Sequence, residues 1–193
     1  QERITIGYEA LAWGTHVNRW HQAWARVKSV DSPALGIVLD SFHVLARGDT
    51  LAQLADVPLE KITFVQMADA PLMKMDILEW SRHFRCFPGQ GQLPLVEFAC
   101  DLTRRGYCGP WSLEIFNDSF RASPNGATAK DGYRSLLWLE EQVRQRLPES
   151  RAPLFSSAEL PLYAGLEFIE FAATPAQAGE LGHRLTQLGF AEE

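Results

Sequence analysis

The sequence predicts an α/β protein in which short parallel strands alternate with helices. Four apolar runs have the length and composition of buried strands, and they cover residues 4–9, 35–40, 62–66 and 111–116. Stretches with apolar residues at helical spacing follow most of these runs. Strands and helices that alternate in this order are typical of a parallel sheet whose helices pack on the outside.

Helical patterns follow the first two strands. A helix is predicted near residues 18–30, because Trp20, Trp24 and Val27 recur on one helical face. After the second strand, Asp49-Thr50 has the residue types of a helix start, and apolar residues follow it.

The third and fourth units have longer connections. Residues 69–92 are rich in Pro, Gly, Met and charged residues, which predicts a long loop, and loops of this length are usually functional. A helix is predicted near 94–105, with Gly106 as its C-terminal cap. The fourth strand leads through a loop rich in Ser, Pro, Asn and Gly to a helix near 128–146.

Four strand–helix units amount to half of a (β/α)₈ barrel, which needs eight units and about 250 residues. We therefore expect residues 1–147 to form the later half of a TIM barrel. The other half is expected either from another copy of the chain, in a homo-oligomer, or from a longer product of which this chain is a fragment. The absence of a starting Met favours a fragment.

A change of composition after the last predicted helix indicates a domain boundary. Residues 148–160 are rich in Pro and Ser and predict a linker. Residues 161–193 are expected to begin a second, truncated α+β domain. Its elements are an alternating strand at 165–171 and a helix that starts at Thr174-Pro175.

Composition excludes several classes of function. The chain has 193 residues, a formal charge of −6 and no basic run, which argues against nucleic-acid binding. No apolar stretch approaches the roughly 20 residues needed to span a bilayer. The N-terminus has no signal-peptide pattern, and three cysteines without zinc-like spacing are typical of reduced thiols, so a cytoplasmic location is expected.

Oxygen-bearing side chains lie at or near the ends of the four predicted strands. They are Glu9, Asp40, Gln66 and Glu114. Barrel enzymes place their chemistry at the C-terminal ends of the strands. Because three carboxylates and one amide suit a hard or borderline cation, we expect these residues to bind a divalent metal ion, Mg²⁺, Mn²⁺ or Co²⁺.

Four motifs make the chain recognisable, namely YEALAWG from residue 8, LDSFH from residue 39, VQMADA from residue 65 and RHFRCFPGQG from residue 82. They resemble those of the xylose-isomerase-like TIM barrels, the sugar phosphate isomerase and epimerase superfamily. The closer resemblance is to bifunctional bacterial 3-dehydroshikimate dehydratases, which carry a C-terminal 4-hydroxyphenylpyruvate-dioxygenase-like (vicinal-oxygen-chelate) domain. The resemblance implies the four metal ligands above and a lyase that converts 3-dehydroshikimate into protocatechuate in quinate and shikimate catabolism.

Candidate substrate-binding and catalytic residues follow the ligand strands. By resemblance, Arg85 and Ser81 should bind the substrate carboxylate, for which an Arg fork is well suited. His43 is predicted to be the acid or base, with a buried structural His as the alternative. Glu114 is an alternative base, and the sequence leaves that choice open. His16 is expected to contact substrate, with a structural role as the alternative.

The proposed dehydration would begin with loss of the proton next to the ketone, which gives an enediolate that a divalent cation stabilises. The same chemistry would serve a sugar or polyol isomerase, an epimerase or an inosose-type dehydratase, which is the alternative function. The carboxylate anchor Arg85 favours the dehydratase, because the fold does not select the reaction. Arg82 is interpreted as a solvated surface residue.

The third hypothesis for the chain is a non-catalytic one, in which it is a metal-binding module or an inactive fragment. A dioxygenase iron site requires two His and one carboxylate, and the tail contains one His, His183, so no iron site is expected there.

Overall fold

The computed structural model describes most of the chain, namely residues 4–52, 54–158, 164–165 and 169–191. The chain divides into two compact units, residues 1–157 and 158–193. The predicted candidate site lies wholly in the first unit.

The first unit is built on a sheet of four parallel strands in the order β1-β2-β3-β4. The strands are β1 Ile6–Glu9, β2 Leu35–Asp40, β3 Ile62–Met67 and β4 Trp111–Leu113. All four predicted strands are therefore confirmed. The last is shorter than predicted, although the N–H of Glu114 still donates to the carbonyl of Met67 at 3.1 Å.

Seven α-helices occur in the described residues. They are α1 Trp20–Val30, α2 Ser41–Leu45, α3 Ile77–His83, α4 Leu95–Arg104, α5 Asp118–Ala122, α6 Asn125–Arg146 and α7 Pro175–Gln187. The predicted helices near 18–30, 94–105 and 128–146 are confirmed. No helix in the described part of the chain has both the length and the apolar composition needed to cross a bilayer.

Two expectations about the connections were wrong. No α-helix starts at Asp49-Thr50, because α2 begins directly after β2, where the Asp40 carboxylate accepts the N–H of His43 at 3.2 Å. The segment 69–92 is not a plain loop, because it contains α3. That helix starts where the Asp76 carboxylate accepts two backbone N–H bonds, a capping arrangement that the sequence analysis overlooked.

The two faces of the sheet have different roles. Ile37, Leu39, Val65 and Met67 are buried in the main core together with residues of α1, α4 and α6. Because successive side chains of a strand point to opposite faces, the residues between them lie on the other face, which in a barrel is the interior. Gln66 belongs to that second set, so the helical core and the candidate site share the same strands.

Residues 148–157, in the predicted linker, belong to the first compact unit. Leu154 packs against the main core, and the N–H of Phe155 donates to the carboxylate of Glu140 at 2.7 Å. These contacts place the segment against its own domain.

The second unit contains one helix in its described residues. Helix α7 is confirmed, with Thr174 accepting the N–H of Gln177 and Pro175 in the first turn. The strand predicted at 165–171 does not occur in its described residues, and residues 166–168 of that prediction lie outside the described part of the chain.

We predict that Gly36→Ala lowers the free energy of unfolding by about 1–3 kcal/mol, because the added methyl group overpacks the sheet. A Cβ at Gly36 would lie 2.4 Å from the carbonyl oxygen of Lys61 and 2.5 Å from Cγ2 of Thr63. Urea unfolding measures the change. The control Gly126→Ala adds a Cβ that meets nothing within 4 Å in α6, so its stability should be unchanged or slightly raised. Equal stabilities of the two variants would contradict the prediction.

Candidate metal centre and active site

The register of the parallel sheet brings the predicted ligands to one edge. Glu9 and Asp40 are the last residues of β1 and β2, and Gln66 in β3 pairs with Asp40. Glu114 follows β4 directly. Since the C-terminal ends of parallel strands meet at the same edge, side chains more than 100 positions apart in sequence converge there.

A compact acidic group forms the first part of the site. Glu9, Asp40 and His43 offer ligand atoms that all lie within 4.8 Å of one another. Nε2 of His43 is 3.6 Å from Oε1 of Glu9 and 4.0 Å from Oδ2 of Asp40. Glu114 is not in this trio. Its Oε1 accepts a hydrogen bond from Nε2 of Gln66 at 2.8 Å, so the two ligands from β3 and β4 form a second pair.

The guanidinium of Arg85 joins the two parts. It is completely buried, and its Nη1 donates to Oδ2 of Asp40 at 2.8 Å and to Oε2 of Glu114 at 2.9 Å. The rings of Phe42 and Phe116 lie against it, with centroids 4.7 and 5.3 Å from the guanidinium carbon. The predicted site is therefore held together by a buried cation between two carboxylates.

The remaining nitrogens of Arg85 are engaged by Ser81. Its Nε and Nη2 lie 3.2 and 2.8 Å from Oγ of Ser81, which is also fully buried. Each guanidinium nitrogen therefore donates to a protein oxygen. Arg85 and Ser81 were expected to bind a substrate carboxylate. In the structure they contact each other, and Arg85 also contacts the predicted metal ligands.

His43 is buried with its two ring nitrogens in different surroundings. Nδ1 accepts the backbone N–H of Ala12 at 3.2 Å, while Nε2 faces Glu9, Asp40 and Arg85. Burial, reinforced by the charge of Arg85, lowers the pKa of His43 to about 3. The ring is therefore neutral near pH 7. The backbone N–H of Ala12 at Nδ1 and the guanidinium of Arg85, 3.2 Å from Nε2, can both only donate, so each ring nitrogen of His43 faces a hydrogen-bond donor.

The acidic side chains carry more negative charge than Arg85 balances. Burial raises the pKa of Glu9 to about 7, and the neighbouring carboxylates of Asp40 and Glu114 add to the effect. Burial and the nearby Asp40 also raise the pKa of Glu114. Such shifts mean that the ionised forms lack compensating positive charge.

Two oxygens of the cluster lack hydrogen-bond partners among the described residues. They are Oε1 of Glu9 and Oε1 of Gln66, both buried. Buried acceptors are normally satisfied, so these two oxygens are available to a water, a ligand or an ion. Carboxylate and amide oxygens with excess negative charge fit a hard divalent cation.

His16 is the one predicted site residue that lies apart from the cluster. It is exposed on the connection between β1 and α1. Within the described part of the chain, no hydrogen bond or ion pair links it to the other predicted site residues. Trp13, from the same connection, does reach the site, since its ring meets His43 edge-on with centroids 4.9 Å apart.

Asp69 is a buried residue that holds the turn after α3 in place. It lies just after β3, and its carboxylate accepts backbone N–H bonds at 2.8–3.1 Å from Ala70, Gly89, Gly91 and Leu93. Asp69 and Cys86 also exchange two backbone hydrogen bonds, at 2.8 and 2.9 Å. Because Cys86 follows Arg85 directly, these bonds fix where Arg85 enters the site. The signal in the sequence was the Gly-rich turn paired with a lone acid after a strand.

The parallel sheet and the acidic cluster at its C-terminal edge define an α/β-barrel protein with a candidate cation site. Residues 1–142 match the family model described as xylose isomerase-like TIM barrel, and the chain belongs to this family. The fold class predicted from the sequence is thereby confirmed.

Relatives with assigned activities share more than half of this sequence. The chain is 55% identical to a 3-dehydroshikimate dehydratase of Pseudomonas putida, over 98% of this chain and 31% of the relative. It is 53% identical to a 3-dehydroshikimate dehydratase of Pseudomonas aeruginosa, over 97% of this chain and 30% of the relative. The chain thus spans about a third of the length of these relatives.

A solved structure of similar sequence shows the same fold. It is a xylose isomerase-like TIM barrel/4-hydroxyphenylpyruvate dioxygenase fusion protein, 53% identical, with a TM-score of 0.85. The match covers 97% of this chain and 31% of that one. The second part of this fusion agrees with the module that the sequence predicted after the barrel.

We predict that Asp69→Asn destabilises the first unit by about 1–3 kcal/mol. The side-chain amide of Asn has only one acceptor oxygen. Its NH₂ group would face backbone N–H groups whose hydrogen bonds the carboxylate of Asp69 now accepts. The free energy of urea unfolding is the measurement. Asp131→Asn is the matched control, because Asp131 is exposed in α6 and pairs only with Arg134 at 3.3 Å. If the two variants have the same free energy of unfolding, the four hydrogen bonds of Asp69 do not contribute to stability.

Proposed function

We propose that this chain carries the metal-binding half of a 3-dehydroshikimate dehydratase, a lyase that forms protocatechuate. The observation that carries the proposal is the acidic cluster with two unpaired buried oxygens at the strand ends. The assigned activity of the relatives at 55% and 53% identity supports the substrate. Those relatives are about three times as long, so the activity belongs to the complete barrel.

The proposed ligands of the divalent ion are Glu9, Asp40, Gln66 and Glu114, and the proposed ion is Mg²⁺, Mn²⁺ or Co²⁺. When bound, such an ion polarises a ketone and an adjacent hydroxyl oxygen as a Lewis acid. Arg85 would remain beside the ligands and hold Asp40 and Glu114 in place through Nη1.

The chain offers both a base and an acid for the elimination. Glu114 has a raised pKa and is half-buried at the site, which suits it to remove the proton next to the ketone. Once protonated, Glu114 can return that proton to the departing hydroxyl group, and neutral His43, whose Nε2 lies beside the same space, is the proposed acid–base partner that orients this group. Water leaves, and tautomerisation of the resulting ring gives the aromatic catechol without any oxidant.

The alternative reaction classes share the fold and the cation but differ in product. An isomerase or epimerase would return a carbonyl compound, whereas the dehydratase gives an aromatic acid. The substrate assigned to the two relatives favours the dehydratase, because their match extends over nearly the whole chain.

The proposed function predicts that protocatechuate forms from 3-dehydroshikimate in the presence of Mn²⁺ or Mg²⁺, and that a chelator prevents this. The assay is run on the chain alone and on the chain supplied with the remaining barrel segment of the Pseudomonas putida relative. Glu9→Gln should abolish both product and tight Mn²⁺ binding, because it removes a charged ligand. Glu97→Gln, an exposed acid in α4 paired with Arg146, should leave both unchanged. A completed, metal-loaded barrel that converts only polyols would refute the dehydratase.

The second prediction concerns pH. The pKa of Glu9 is raised to about 7, so protons compete with the cation below that pH. The affinity for Mn²⁺ should be nearly constant between pH 8 and 7 and should fall below pH 7, by about tenfold per pH unit for the carboxyl of Glu9. Calorimetric titration measures this slope, and the control Glu97→Gln should keep it. An affinity that is the same at pH 8 and pH 5 in folded protein would contradict the assignment of Glu9.

A further inference from the structure

We propose that Arg82, and not Arg85, binds the carboxylate of the substrate. The inference rests on the proposed function, which requires an acid substrate, and it names the residue that selects for that acid. It reverses the sequence-based interpretation, in which Arg85 was the anchor and Arg82 a solvated surface residue.

Arg85 has no free nitrogen to offer. All three of its guanidinium nitrogens donate to protein oxygens, and its side chain is completely buried. Turning it toward a substrate would break its hydrogen bonds to Ser81, Asp40 and Glu114, and its side chain has no exposed surface through which a ligand could reach it. Removing one partner of a buried ion pair is strongly unfavourable, so Arg85 is a positioning residue for the acidic cluster.

Arg82 lies over two aromatic rings, one of which, Phe116, also contacts Arg85. Its guanidinium carbon is 5.7 Å from the ring centroid of Trp13 and 5.5 Å from that of Phe116. Trp13 contacts His43 edge-on, and Phe116 also contacts the guanidinium of Arg85. Both rings therefore border the candidate site, and Arg82 lies where a substrate would enter it.

Arg82 is also available to a ligand. It is exposed, and it makes no hydrogen bond or ion pair with any of the residues that the structure describes. Arg121 lies near the same Phe116 ring, at 5.9 Å, but it is paired with Asp118 at 3.4 Å. Stacking on two rings orients the Arg82 fork while leaving its N–H groups free to bind both oxygens of a carboxylate.

The test compares Arg82→Met and Arg82→Lys with the control Arg121→Met, in Mn²⁺-loaded protein with a complete barrel. Substrates are 3-dehydroshikimate and its carboxamide analogue, which lacks the negative charge. Arg82→Met should raise KM for the acid by about 10- to 100-fold, the size of a lost charge-assisted hydrogen bond. kcat and the Kd for Mn²⁺ should change less than threefold, and Arg82→Lys should recover part of the loss.

The carboxamide gives the readout that a structural role would not produce. Wild-type protein should have a higher KM for the carboxamide than for the acid, and Arg82→Met should abolish that preference. Arg121→Met should keep it. Equal losses for acid and carboxamide, or an unchanged KM for the acid, would overturn the assignment.

A binding measurement separates this inference from the proposed function. Shikimate is a cyclohexene carboxylate that does not carry the ketone, and its Kd can be measured by calorimetry without turnover. If wild-type protein makes no protocatechuate, the proposed function fails, yet weaker shikimate binding by Arg82→Met would still support Arg82 as the anchor. If protocatechuate forms and neither KM nor the shikimate Kd responds to Arg82→Met, only the assignment of Arg82 fails.

Discussion

The buried contact of Arg85 with Asp40 and Glu114 is the interaction on which the rest of the site depends. It joins the end of β2 to the residue that follows β4, and it does so with a guanidinium that has no exposure to solvent. A buried carboxylate without a cation would cost several kcal/mol. The positions of α3, of Ser81 and of the aromatic walls therefore follow from the need to surround this one cation with acceptors and rings.

The connection after β3 is shaped to deliver Arg85 to that position. Helix α3 ends at His83, so Arg85 leaves the helical direction and enters the sheet edge. Asp69 then binds the following turn through backbone N–H groups. As a result, two arginines only three residues apart have different surroundings. Arg82 remains exposed on two aromatic rings, while Arg85 is enclosed by carboxylates.

The electrostatics of the cluster explain why this edge of the sheet is suited to a cation. Three acids converge on one guanidinium, and burial raises the pKa values of Glu9 and Glu114. Burial and the charge of Arg85 lower the pKa of His43 and keep it neutral beside the carboxylates. The roles proposed for the carboxylates and for His43 thus follow from burial and from the position of one arginine.

The sequence by itself determined the parallel α/β architecture, the four strands and the four side chains at their C-terminal ends. These depend on local periodicity and on the rule that parallel strands end at one edge, so they are readable without coordinates. The capping of α3 by Asp76 was equally local and could have been read. The partners of Arg82, Arg85 and Asp69 were decided only by the tertiary structure. Their roles depend on contacts between residues 20 to 69 positions apart, and a chain pattern cannot show which of two neighbouring arginines is already neutralised.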